Sequence, residues 1–150
     1  MPDSERTNPE RRGRVVVGID GSDSSRGALE WALAYAAAMD LPVTAVQAWQ
    51  VPANYGAAAM VLPAAEFAES ARDTLERTVR EAAAARPQVT VERIVQEGHA
   101  AKVLLEAAAD ATLLVVGSRG HGGFVGAVLG SVSQYCVTHA RCPVLIYRGE

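Results

Sequence analysis

The apolar residues of this chain fall into short continuous runs, separated by longer segments in which they recur every three or four positions. The first run, Arg14–Asp20 (RVVVGID), is rich in β-branched residues and ends in an acid. A run so short and so apolar reads as a strand covered on both faces, as in parallel sheets. GSDSS follows with several candidate N-caps. A helix is expected from there to about Met39, with Leu29, Leu33 and Ala36 on one face. Pro42 closes the turn before a second strand, Val43–Trp49. Gln50–Pro63 is an uncharged loop of small residues. A long helix from about Ala64 to Ala85 carries the stripe Phe67, Ala71, Leu75, Val79 and Ala82. Its Glu76–Arg80 and Arg77–Glu81 spacings suit surface ion pairs. Pro87 ends it, and Val89–Gln96 is the third strand. Gly98 and His99 turn into a short helix, Ala101–Ala109, and the fourth strand is Thr112–Val116. A glycine-rich loop, a helix of about Ser131–His139 and a last strand, Pro143–Arg148, complete the order.

Strands alternating with helices call for an α/β fold with a parallel sheet and helices on both faces. A chain of 150 residues fits one such domain, set here at residues 14–150. Residues 1–13 have mixed charge and no apolar core, so they read as a disordered arm rather than a secretory signal.

Charge and cysteine content narrow the function classes. The formal net charge of −3 gives no basic field for nucleic acid. The two cysteines, Cys136 and Cys142, match no metal-ligand spacing and read as buried or half-buried thiols, which points to a reducing, cytoplasmic compartment. Two uncharged stretches bear on a membrane reading. Leu41–Ala65 is interrupted by three prolines, and the apolar run within Gly120–Ala140 ends at Gly130–Ser131. No membrane association is expected.

The candidate chemistry lies in GSRGHGGFVGAVLGS, Gly117 to Ser131, which holds six of the thirteen glycines. In sheets of this kind ligands bind beyond the carboxyl ends of the strands. Glycine lets a ligand approach the backbone, and the amides there, with the positive end of the following helix, suit phosphates. A flexible connector with Ser131 as an ordinary N-cap is the simpler alternative. There is no GK[ST], and the first turn lacks G-x-G-x-x-G, so neither a P-loop nor a dinucleotide fingerprint is present. The second strand ends AWQ, without the acid that holds a dinucleotide ribose, so NAD is not expected.

The spacing Gly117-x2-Gly120-x9-Gly130-Ser131 resembles the phosphate loop of the ATP-binding branch of the universal stress protein family. VVVGIDGSDSS and HARCPVLIYR, at the two ends of the domain, are similar to that family as well. The resemblance covers about Arg14 to Arg148 and implies a five-stranded parallel sheet in the order 3-2-1-4-5, a Rossmann-like fold with an adenine nucleotide across its carboxyl edge. It implies that Gly18, Ile19 and Asp20 border the site, with Asp20 facing ribose hydroxyls or a phosphate-bound Mg²⁺. Ala48 would line the adenine pocket beside Ile19 and Val116. Gly117, Arg119, Gly120, Gly130, Ser131, Val132 and Ser133 would surround ribose and phosphates, largely through backbone amides. On its own, Asp20 reads equally as a ligand group or as a cap of the next helix. Arg119 pairs with phosphate on one reading and is a solvated loop residue on the other. His99 stands where the family often has proline, which leaves the lid of the pocket open to question.

No nucleophile–base pair is visible, and no catalytic residue is assigned. Lys102 is placed on a helix away from the loop, and His121 and His139 are given no catalytic role. The expected function is an ATP-binding regulatory module of the stress response, with slow hydrolysis at most. The alternatives are an ATPase or ATP-dependent transferase, and a pure interaction protein. The last strand, apolar on both faces and at the sheet edge in the family's order, is expected to pair with a second copy into a homodimer through residues 143–148.

Overall fold

The computed structural model describes residues 13–51, 64–119 and 129–149. In chain order their elements are β1 (Val15–Gly18), α1 (Asp23–Met39), β2 (Val43–Trp49), α2 (Ala64–Ala83), β3 (Val91–Glu97), α3 (Ala100–Ala107), β4 (Leu113–Gly117), α4 (Ser131–His139) and β5 (Val144–Tyr147). The strands form one sheet of five in the order β3-β2-β1-β4-β5, and every neighbouring pair is parallel. This is the α/β architecture and strand order expected. The arm, residues 1–12, lies outside the described residues.

β1 runs through the middle of the sheet, and Val15, Val16 and Val17 are fully buried. Strand alternation divides them between two cores. Val15 and Val17 join Leu29, Leu33, Leu75 and Val79 beneath α1 and α2. Val16 joins Val46, Leu104, Leu114, Val116 and Cys136 beneath α3 and α4. Leu29, Leu33 and Ala36 of α1 and Leu75, Val79 and Ala82 of α2, from the stripes expected, thus lie in the first of these cores. Burying a leucine or valine side chain contributes about 1.5–3 kcal/mol relative to exposure, so these two layers are the main source of stability.

Several boundaries move. β1 ends at Gly18, although Ile19 beyond it still donates its N–H to Val46 O at 2.8 Å. β3 begins at Val91 because Val89 closes a turn, donating to Arg86 O at 3.1 Å. α2 stops at Ala83, α3 spans Ala100–Ala107 and β4 is shifted on by one residue to Leu113–Gly117. Asp40 caps α1 in the left-handed region (φ 55°), and Leu41 N–H donates to Ala36 O. Glu76 does not pair along its own helix with Arg80. It bonds Arg93 of β3 at 2.7 Å, tying α2 to the sheet edge.

β5 is shorter than expected, with Pro143 and Arg148 outside it. Val144 and Ile146 face the α3/α4 core, whereas Leu145 and Tyr147 face the α1/α2 core. All four are only half-buried, as suits an edge strand. Tyr147 lies against Gly27 of α1, where an added Cβ would overlap its ring. Cys136 is buried, Cys142 is half-buried, and both are free thiols.

Candidate functional site

β1 and β4 are neighbours in the sheet, but the chain leaves β1 toward β2 and leaves β4 toward β5. The connections part at their carboxyl ends, which opens a crevice there. α1 and α4 begin on its two sides, on opposite faces of the sheet.

The start of α1 is closed by its own side chains. Ser22 is the N-cap, and its Oγ accepts from Ser25 N–H at 3.2 Å. Asp20 Oδ1 accepts from Ser22 N–H at 2.9 Å and also from the Ser22 hydroxyl. Asp20 therefore braces the capping turn, and its exposed carboxylate keeps a second oxygen beyond that bond. Asp23 adds an acid in the first turn.

The start of α4 is built differently. Gly130, not Ser131, is the N-cap, with extended backbone (φ −74°, ψ 169°) and no side-chain cap bond. Ser131 is the first helical residue and is exposed. Helix geometry gives the first amides no intrahelical partner, and here no cap side chain and no first-turn acid covers them. Gly130 N–H donates to Ser118 O at 2.7 Å, so the chain re-enters at the end of β4. Ser118 is itself held by its N–H to Tyr147 O at 2.8 Å. Ser133 is buried, and its hydroxyl donates to Gly130 O at 3.0 Å. Of Ser133 only the backbone is left to offer a ligand.

The remaining expected site residues are distributed as follows. Gly18 ends β1, and an added Cβ would press on Leu104 Cδ1 at 2.8 Å. Ile19 is buried in the α1/α2 core, whereas Ala48, Val116 and Val132 pack toward the α3/α4 core. The structure therefore sets Ala48 and Val116 on one face and Ile19 on the other. Gly117 lies against Ser24 of α1, whose carbonyl carbon would be 2.9 Å from an added Cβ. Arg119 is exposed, and its N–H makes a long contact to Ser24 Oγ at 3.5 Å. Gly120 and His121 lie outside the described residues.

Beside the start of α4 is an open cleft of about 330 Å³, lined by His99, Lys102, Ser131 and Tyr135. It is at the lower end of the range for small-ligand pockets. Lys102 is thus not remote from the loop's end: it shares a cleft with Ser131. The cause is topological. Right-handed crossovers from β3 to β4 and from β4 to β5 put α3 and α4 on the same face, with both starts at the carboxyl edge. Periodicity within α3 alone carries no such information. Ser24 and Ser118 were likewise missed, since their roles arise from backbone contacts.

Two further groups shape the site's surroundings. On the buried side of α4, the Cys136 thiol is pushed up to about 11 by burial and by nearby Cys142. His139, in the last turn of α4, lies 3.1 Å from Tyr135 O through Nδ1, and its ring stacks on Tyr135. Among the described residues no three His, Cys, Asp or Glu side chains form a metal cage. Among the same residues no helix is long and apolar enough to cross a membrane.

Comparison with known proteins adds the following. Residues 11–148 match the model described as the Universal stress protein family. A universal stress protein of Mycobacterium tuberculosis is 36% identical over 138 residues, covering 89% of this chain and 45% of the relative. The chain spans about half the length of the curated relatives it matches. Among solved structures, a universal stress protein of Lactobacillus plantarum superposes with a TM-score of 0.76 at 22% identity, covering 92% of this chain and 99% of that one. A universal stress protein described in complex with cAMP superposes with a TM-score of 0.72 at 28% identity, covering 93% and 99%.

Proposed function

We propose that this chain, which belongs to the universal stress protein family, is a regulatory module that holds ATP at the carboxyl edge of its sheet and turns it over slowly or not at all. The observation that carries the reading is the start of α4, where the N-cap is a glycine that makes no side-chain cap bond to the first amides, beside an open cleft. Amides so placed, with the helix's positive end behind them, match an anion. The cAMP complex of the 28%-identical structure supports an adenine nucleotide as that anion. Gly117, Arg119, Gly120, Gly130, Ser131, Val132 and Ser133 surround ribose and phosphates in this reading. Gly18, Ala48 and Val116 border the base, and Ile19, whose side chain is buried on the other face, does so through its backbone. Asp20 meets ribose hydroxyls or a phosphate-bound Mg²⁺.

Slow turnover in this reading rests on the sequence, which offers no nucleophile–base pair. Asp20 commits one carboxylate oxygen to the cap of α1. An ATPase or ATP-dependent transferase remains the second reading, and multiple-turnover kinetics separates the two. The binding test is titration calorimetry with adenosine, AMP and ATP in the presence of Mg²⁺. Each well-placed phosphate contact adds about 1.5–3 kcal/mol, so affinity is expected to rise along that series. Equal affinity for adenosine and ATP overturns the reading.

The working form we propose is a cytoplasmic homodimer, paired through the outer edge of β5 with residues 143–148. A half-buried, apolar edge strand is a template for a second chain, and a two-fold axis would close both edges together. Light scattering is expected to give twice the chain mass, and Ile146→Pro to lower it or cause aggregation. A clean monomer rejects the dimer and leaves the nucleotide site standing.

A further inference from the structure

The cleft between α3 and α4 contains a charge placement that helix physics disfavours. Lys102 is the chain's only lysine. It sits in the first turn of α3, three residues past the N-cap His99. A cation there opposes the helix dipole, whose positive end favours acids. The first turn of α3 contains no acid, and neither does that of α4 across the cleft. Within α3 the acid at pairing distance along the helix is Glu106, yet the described ion pairs are Arg14–Asp110 and Arg93–Glu76. The exposed side chains of Lys102 and His99, at the start of α3, thus line one open cleft with Ser131, at the start of α4, in a protein of net charge −3. Local conflicts of this kind mark places where a ligand supplies the missing term.

We infer that Lys102, with His99 beside it, forms a second wall of the nucleotide site that holds the outer phosphates of a triphosphate across from Ser131. The chemistry fits the class. Lysine acts as a point charge on phosphate oxygens, the Ser131 hydroxyl adds a donor, and the two helix starts add amides. A nucleotide with one phosphate fills the α4 side alone, whereas the longer tail of ATP spans both walls. Lys102 then sets the preference for triphosphate over monophosphate.

This inference rests on the nucleotide reading above, and the experiment keeps the two apart. Adenosine, AMP and ATP are titrated into the wild-type protein, Lys102→Gln and Lys102→Arg. Lys102→Gln is expected to weaken ATP about tenfold, the effect of one charge-assisted contact, and to leave adenosine unchanged. Lys102→Arg should retain most of the ATP affinity. A second readout needs no variant. Because the chain has one lysine, its acylation by an amine-reactive ester can be followed by mass spectrometry with the α-amino group as internal reference. ATP should slow modification of Lys102 severalfold, and adenosine should not. If wild type binds ATP but Lys102→Gln keeps the same ATP-to-AMP ratio, the second wall is rejected and the nucleotide reading stands. An equal loss for all three ligands also rejects it, by assigning the cleft to the nucleoside. If wild type shows no preference for phosphate, both readings fail together.

Discussion

α1 and α4 begin at the same edge of the same sheet, one following β1 and the other following β4 in the chain, and they meet their unpaired amides in opposite ways. At α1, Ser22 caps Ser25 and Asp20 braces Ser22. At α4, the cap is Gly130, and the described side chains that line the cleft beside it, His99, Lys102, Ser131 and Tyr135, include no acid. One end is finished by the protein with negative charge. The other is left positive and open. The contrast teaches that a helix start becomes an anion site by what is withheld from it as much as by what is supplied.

The strongest way to break the contrast is to give α4 the cap of α1. Gly130 has backbone angles open to any residue, so Gly130→Asp should fold with an unchanged or slightly raised melting temperature. Its carboxylate would occupy the amides and repel phosphate, and ATP affinity should fall about a hundredfold or more. Calorimetry beside thermal melting checks this. Normal ATP binding by a folded Gly130→Asp would show that the phosphates lie elsewhere.

Next in size is Gly117→Val, which acts on both ends. The new side chain would collide with Ser24 at the start of α1. Overpacking of this kind costs about 1–3 kcal/mol, so urea unfolding should report a lower midpoint along with lost binding. A stable variant would mean that α1 and the loop can separate without cost.

Removing the cap of α1 should do less, and in a different currency. Ser22→Ala should cost about 1 kcal/mol of stability and change ATP affinity by less than about twofold. Asp20→Ala adds a loss of ribose or cation contact, partly offset by relief of repulsion, so a weakening of only a few fold is expected. If Ser22→Ala abolished binding, the two ends would not be divided as described.

The smallest effect concerns how each helix is anchored. α1 is held by alkyl groups such as Leu29 and Leu33, whereas α4 buries the thiol of Cys136. That thiol is raised from 9.0 to about 11, so the folded state favours its neutral form. Its contribution to stability is complete below pH 9 and is lost as pH rises toward about 11. Melting temperature should therefore fall more steeply over that range in wild type than in Cys136→Ala. At pH 8, alkylation should reach half-buried Cys142 before Cys136. Identical slopes for both proteins would dissociate the thiol from the anchoring of α4.

The fold was legible because its central strands β1 and β4 are apolar on both faces and its helices on one, so period alone separates RVVVGID from the stripe of α2. Strand ends were less legible, since Ile19 keeps its sheet bond after the ladder stops and Val89 is spent on a turn. The glycine loop pointed to the carboxyl edge of the sheet, where β4 ends and α4 begins. It did not reveal that Gly130 replaces Ser131 as cap, because a serine beside a glycine satisfies the same pattern. Nor did it reveal Lys102, whose relevance depends on which helices share a face. Asp20 was left between two roles, and the structure shows one of them, bracing the α1 cap, while the second carboxylate oxygen keeps the other available.

The strand order has a consequence for how the chain is made. β1 takes β2 on one side from residue 43 onward, but its other neighbour, β4, begins only at Leu113. A ribosome therefore exposes the most buried strand of the protein early and leaves one of its edges unanswered until most of the domain has emerged. Pairings between distant segments are slow to close and open to misassociation. During synthesis, the central valines of β1 are thus the segment of this sheet most in need of a chaperone's cover.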